Sequence, residues 1–212
     1  MEDTHKSLLL RIRELLFLYG TKSITLDDIA SRMGISKKTI YSCCPDKKHM
    51  VDRIVKDYLA AHREDAEKVR LQSRHAIDEV LQMARLARAR MEKISPAFLF
   101  DLNKYYPEIW AHFEQYRTHE VFTQVVRVIK RGQNEGLFRA DLDNEIVAAM
   151  HLQHIRLLTD PGQQPRPERP VGELIRHIIS VFLHGIVTSK GHKVMAEVNN
   201  ELTQAEQNNV DT

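Results

Sequence analysis

Apolar residues recur along this chain at offsets of three and four, the spacing of helices with one buried face. Leu8, Leu9, Ile12, Leu15, Leu16 and Tyr19 predict a first helix over residues 7–19, after a polar and frayed lead-in at 1–6. Leu26, Ile29, Ala30 and Met33 predict a short second helix, and residues 37–43, with Ile40 turned inward, a third. Met50, Val51, Ile54, Val55, Tyr58 and Leu59 mark a long helix from residue 47 to about 71, with no glycine or serine linker inside it. Further amphipathic helices follow: 73–93, capped by Ser73, with Ile77, Val80, Leu81, Ala84, Leu86 and Ala87 inward, and another opened by Ser95 and Pro96 that carries Phe98, Leu99, Leu102 and Tyr105. A longer one starts at Pro107 and carries Ile109, Trp110, Phe113, Tyr116, Val121, Phe122, Val125, Val126 and Ile129. Gly136 ends it, and Leu137 and Phe138 tuck back beneath. Residues 144–158 and 171–189 supply the last two helices. The stretch 159–170 holds four of the seven prolines and reads as a mobile loop, and the tail after Gly191 reads as partly disordered. The expected fold is all-α, with about nine helices.

The stretch TLDDIASRMGISKKTIYSCCPDKK, residues 25–48, organises the rest. Thr25 can cap the second helix ahead of Asp27 and Asp28. Gly34 can end it in the left-handed conformation. Ser36 caps the next helix, and Ala30 is small enough for a close, steep helix crossing. Such spacing fits a helix-turn-helix, and it fits an ordinary helical hairpin as well. Charge favours the former. Between residues 31 and 48 stand Arg32, Lys37, Lys38, Lys47 and Lys48 against the single acid Asp46. The third helix carries Thr39, Tyr41 and Ser42 where a second apolar face would otherwise be, and such side chains reach phosphates and base edges.

Composition sets the outer bounds. A chain of 212 residues, 42% apolar, can hold a small domain and a larger one, divided here as 1–48 and 49–212. The net charge is only +2 and the pI about 8.5, so the basic character is local. Two adjacent cysteines, Cys43 and Cys44, form no disulfide framework and suit a reducing cytoplasm. Neither a signal peptide nor a run of ~20 apolar residues is present, so a cytoplasmic protein without a membrane segment is expected. His151 and His154 sit three apart, while His112 and His119, and His177 and His184, sit seven apart. None of these pairs has the third and fourth ligands that a metal site needs. With no phosphate-binding glycine loop and no Gly-x-Ser-x-Gly nucleophile site, no enzyme, cofactor or metal is expected.

From Arg11 to about Lys56 the chain resembles the N-terminal domain of the TetR family of bacterial transcriptional regulators (AcrR-like). The resemblance is carried by LLFLYGTKSIT, with Phe17, Tyr19 and Gly20, and by Asp28, Ile29, Ala30, Gly34, Ile35, Ser36, Lys37, Thr39 and Tyr41. Pro45, Asp46 and Lys47 continue it, whereas Cys44 stands where an aromatic is usual and Cys43 where histidine is frequent. The later segments DLNKYYPEIW and IKRGQNEGLFRADLDNEIVA are similar, more loosely, to the ligand-binding domains of the same family.

The resemblance implies a homodimer on a palindromic operator, released when a small molecule binds among the C-terminal helices. On double-stranded DNA, Thr25 and Lys47 would clamp phosphates, Tyr41 would position, and Lys38, Thr39 and Ser42, beside Ser36 and Lys37, would specify. Lys47 has a physical claim to its role, because a helix N-terminus already attracts an anion. Met83, Phe98, Phe100, Tyr105, Trp110, Phe113 and Phe122 are the candidates to line an effector cavity, although they can equally fill a core. The last predicted helix is apolar over more than one stripe and wants two partners. Ile155, Ile175, Ile179 and Phe182 are therefore expected at the dimer interface. The competing expectation is an all-α ligand-binding or scaffold protein whose helix-turn-helix contacts protein rather than DNA.

Overall fold

The structure, a computed structural model, describes residues 2–162 and 168–198. The centre of the predicted proline-rich loop (163–167) and the end of the tail (199–212) lie outside the described residues. The fold is all-α. Its helices are α1 (Glu2–Tyr19), α2 (Leu26–Met33), α3 (Lys37–Tyr41), α4 (Lys47–Gln72), α5 (Ala76–Met91), α6 (Pro96–Tyr105), α7 (Pro107–Gln115), α8 (Phe122–Asn134), α9 (Asn144–Thr159) and α10 (Val171–Ile186), followed by a helical stretch at 189–198.

Two expectations, on the lead-in and on Ser73, need correction at the boundaries, and the first residues of the tail take a definite form. The lead-in is helical from Glu2. The tail after Gly191 continues as helix to residue 198, with Met195 and Val198 buried, because an antiparallel bridge between Phe138 and Val187 anchors the chain after α10. Arg139 N–H donates to Ile186 O at 2.8 Å and Thr188 N–H to Leu137 O at 2.9 Å, which fixes that start. Ser73 does not open α5. It closes α4 by donating its hydroxyl to Val69 O at 2.6 Å, and the His75 ring accepts from Asp78 N–H as the N-cap of α5.

The long helix predicted from Pro107 has a break in register. Residues Tyr116–Val121 form a π-helical turn between α7 and α8. Tyr116 and Arg117, at the start of this widened turn, are both buried.

One apolar core runs from α1 through the helix-turn-helix into α4, then on into α6 and α7. Ile12, Leu16, Ile29, Ile40, Met50, Ile54, Leu102 and Ile109 share it. A second core, centred on Ile77, Ile129, Phe138 and Leu183, joins α5, α8, α9 and α10. Helix α4 is thus packed at its N-terminal end into the first core, while its C-terminal half reaches the region between the two.

Candidate nucleic-acid interface and ligand cavity

Local chemistry builds the turn between α2 and α3. Thr25 and Asp28 form a capping box: Asp28 N–H donates to Thr25 Oγ1 at 3.1 Å, and Thr25 N–H to Asp28 Oδ2 at 2.8 Å. The Thr25 hydroxyl, which donates to Asp28 Oδ2 at 2.6 Å, and the Thr25 N–H hold the Asp28 carboxyl below its usual range. Gly34 ends α2 with φ of 66°, and Ile35 N–H reaches back to Ala30 O at 3.0 Å. Ser36 caps α3 by accepting from Thr39 N–H at 3.1 Å. Ile40 is fully buried, and Ala30 packs in the same core.

This packing turns the other side of α3 outward. Ser36, Lys37, Lys38, Thr39, Tyr41 and Ser42 are all exposed, as is Thr25 at the start of α2. Lys37 is half occupied by a 2.5 Å ion pair with Asp27, whereas Lys38 has no ion-pair partner among the described residues. The Ser42 hydroxyl donates to Thr39 O at 2.7 Å, just past the last helical residue, so α3 is two residues shorter than expected. Arg32 lies beside this surface. Its guanidinium covers the Tyr19 ring at 4.5 Å and donates to the Tyr19 hydroxyl at 3.0 Å.

Lys47, expected at a phosphate, has partners within the protein. Its ammonium is half-buried and donates to the carbonyls of Thr21 and Ile24, so it staples the α1–α2 loop to the start of α4. Burial, with the charge of Lys22 nearby, pushes its pKa down.

Between the two cores lies a cavity of about 200 Å³. Tyr58 and His62 of α4, Met83, Ala84 and Ala87 of α5, Phe113 and Tyr116, and α9 and α10 form its wall. Of the predicted ligand residues, only Met83 and Phe113 line it. Phe98 and Trp110 sit in the first core, and Phe122 packs against the second. Phe100 and Tyr105 are exposed, and Tyr105 lies beneath the Lys22 ammonium at 4.3 Å, at the junction of α6 with the α1–α2 loop. Helical spacing showed which faces were apolar but not which core each face enters.

No protein-family model matches the chain. An uncharacterized HTH-type transcriptional regulator, YvaF of Bacillus subtilis strain 168, is 22% identical over 169 residues, covering 79% of this chain and 88% of that protein. Among solved structures, a transcriptional regulator from Saccharomonospora viridis in complex with choline matches with a TM-score of 0.66 at 19% identity, over 89% of this chain and all of that one. The TetR-family regulator PfmR from Thermus thermophilus matches with a TM-score of 0.61 at 17% identity, over 84% and 97% of the two chains. The ketosteroid transcriptional regulator KstR2 of Mycobacterium tuberculosis matches at 0.57 and 17%, over 88% and 96%. The fold is that of the TetR-family regulators.

Within this TetR-family fold the residues expected at a dimer interface have a different position. Ile155, Ile175, Ile179 and Phe182 all line the cavity, and Ile175 and Phe182 are buried inside the subunit. The opposite faces of α9 and α10 carry the exposed apolar residues: Ile146 is 62% exposed, Met150 59% and Val181 66%. Buried within the subunit, Ile175 and Phe182 are not free to meet a second one, whereas the exposed apolar residues lie elsewhere on α9 and α10.

Two histidines of the cavity wall were not expected there from the sequence, where His151 figures only as a candidate metal ligand. His151 lines the cavity at 7% exposure, and His62 forms a 2.7 Å hydrogen bond with the Tyr116 hydroxyl. Burial holds both rings neutral, with pKa values down at about 4; for His62 the Arg90 charge adds to the effect, and for His151 the charge of His154. Their only signal in the sequence was a histidine on an otherwise apolar helix face. Among the described residues no cluster of His, Cys, Asp or Glu is arranged to hold a metal ion, and no helix is long and apolar enough to cross a membrane.

Proposed function

We propose that this chain is a DNA-binding transcriptional regulator, a homodimeric repressor that a small molecule releases from a palindromic operator in the cytoplasm. The observation that carries the reading is the outward face of α3. It is a short, capped helix whose exposed residues are cations and hydroxyls, set at the edge of a rigid core by buried Ile40. A surface built to pack against protein would carry apolar residues there. Lys38, Thr39 and Ser42 would read base edges, while Tyr41 and the capped end of α2 at Thr25 would meet phosphates. In this reading residues 1–48 form the DNA-binding domain and 49–212 the effector and dimerisation domain. The pair of α3 helices would address half-sites about one helical turn apart.

Two further features support the mechanism. The cavity touches α4 through Tyr58, Leu59 and His62, and α4 begins at the helix-turn-helix, where Lys47 grips the α1–α2 loop. A ligand that favours one placement of α4 would therefore bias the position of α3. Choline in the Saccharomonospora viridis relative supports a small organic effector as a class. The exposed apolar faces of α9 and α10 would cover each other across a twofold axis.

The test is fluorescence anisotropy on the DNA upstream of the protein's own coding region, against a scrambled duplex, at two salt concentrations. Preference for the native duplex with a steep salt slope is expected. Absence of binding to either duplex at low salt would sink the DNA-binding reading and leave α3 as a protein-contact surface.

A further inference from the structure

The cavity wall is mainly apolar; Tyr58 and Gln124 add a phenol and an amide to it, and the polar groups around Glu79, Arg117 and Tyr116 are largely answered from within the protein. Glu79 accepts from Arg127 Nη2 and Arg131 Nη1, both at 2.8 Å, one at each carboxylate oxygen. Arg117, 2% exposed, donates to Asp160 Oδ1 at 2.6 Å, to Thr159 Oγ1 at 2.9 Å and to Glu114. Arg156 faces the other Glu114 oxygen at 3.3 Å, so two cations and two carboxylates balance at that end. Only Arg117 Nε is left over there, on a guanidinium already held by two carboxylates. The Tyr116 hydroxyl and His62 Nδ1 share a 2.7 Å hydrogen bond.

His151 is different. Its ring lies 4.2 Å from the Phe182 ring, between centroids, on the wall it shares with Ile155 and Ile179. Its Nδ1 is buried and has no hydrogen-bond partner. Nδ1 is covered by protein atoms, so a group in the cavity meets the other ring nitrogen, Nε2, which has no protein partner among the described residues either; a hydrogen bond from a bound group there would give this buried ring its partner.

We propose that the cavity binds an uncharged, mainly apolar alcohol or phenol whose hydroxyl meets His151. The proposal rests on reading this cavity as the effector site. A hydroxyl can donate to the imidazole or accept from it, so it suits either neutral tautomer. A carboxylate or an ammonium would leave water for a wall whose charges are already matched, and no opposite charge would be free to receive it. The ring, neutral at pH 7, offers no charge either. The volume of about 200 Å³ lies below the ~300 Å³ where sites for drug-sized ligands begin, so the apolar body is small.

The experiment uses the full chain and two bodies with interchangeable heads. 2-Phenylethanol and 1-octanol are compared with phenylacetate and octanoate, with the 2-phenylethyl and octyl ammonium ions, and with propylbenzene. Calorimetry and thermal shift read binding, and operator anisotropy reads release. The alcohols should bind and raise Tm, and the charged probes should not. His151→Phe should weaken the alcohols about tenfold, the worth of one hydrogen bond to a buried partner, while propylbenzene changes by less than about twofold. His151→Gln, which restores a donor and an acceptor, should recover part of the loss and guards against a misfolded first variant. A charged probe that binds more tightly, alcohol binding unmoved by both variants, or no binding of any probe would overturn the proposal. Alcohol binding with the expected His151 dependence but without release of operator DNA would uphold the ligand class and remove the effector reading instead.

Discussion

Asp101 on α6 accepts a 2.7 Å hydrogen bond from the backbone N–H of Lys22, which lies 79 positions earlier, in the loop between α1 and α2. The same carboxylate oxygen takes the Thr21 hydroxyl at 3.2 Å, and Lys47 grips the carbonyl of Thr21 from the other side. The loop that enters the helix-turn-helix is therefore held jointly by α4 and α6. Gly20 allows it, with φ of 82° and so little room that a Cβ would lie 2.9 Å from the Asp101 carboxylate. Asp101→Ala should cost about 1–3 kcal/mol in urea unfolding, because it leaves buried donors unpaired. It should also weaken operator binding by loosening α2. An unchanged unfolding midpoint would mean that the joint contributes nothing.

Lys47 and Lys38 should part company. Lys47→Ala removes the donor from two carbonyls and should lower stability by about 1–3 kcal/mol while leaving the salt slope of DNA binding nearly unchanged. Lys38→Ala should leave the unfolding curve alone and weaken DNA binding, most strongly for the preferred sequence. A reduced salt slope for Lys47→Ala with unaltered stability would restore that lysine to the phosphate backbone.

Stability should decline on the acid side of neutrality. An ordinary histidine titrates near 6.5, whereas His151 is held at about 4 in the folded chain. Between those values the unfolded chain binds the extra proton, so the stability is fully present above about pH 6.5 and is lost as pH falls toward 4. From pH 7 to pH 5 this one ring should cost about 2 kcal/mol. Urea midpoints at the two pH values should converge in His151→Phe by that amount, with His62 accounting for part of what remains. Equal pH dependence in wild type and variant would rule out a depressed His151 pKa.

Ala87 and Ala84 line the cavity from α5. Ala87→Phe should fill the space, keep operator binding within about threefold of wild type, and abolish the response to any ligand that enters there. The cost of overpacking should stay within about 1–3 kcal/mol, since the added ring enters a void. Continued release of DNA by a ligand in this variant would place the effector site elsewhere.

Met150→Lys and Val181→Lys each put a charge on the exposed apolar face of α9 and α10. If that face pairs two subunits, sedimentation should show monomers, and operator affinity should fall by two or more orders of magnitude with the loss of the second α3. Ile155→Ala, inside the cavity, should leave the assembly intact. Dimers that survive both lysine substitutions would move the interface off this face.

The local elements were readable in the amino-acid order because local forces make them. The capping box of Thr25 and Asp28, the left-handed Gly34, the Ser36 cap, the proline that opens α6 and the exposed hydroxyls of α3 each need only neighbours within a few residues. Periodicity likewise revealed which faces of α9 and α10 are apolar. It could not say which apolar face meets which partner. The choice depends on helices distant in sequence: Ile155, Ile175, Ile179 and Phe182 turn toward a cavity because α5 and the π-helical turn after α7 stand opposite them. Lys47 could be recognised as a cation at a helix start, but only the folded loop supplies the two carbonyls that claim it. His151 is one histidine among eleven in the sequence. Tertiary packing alone buries its ring in the cavity wall and leaves Nδ1 without a hydrogen-bond partner.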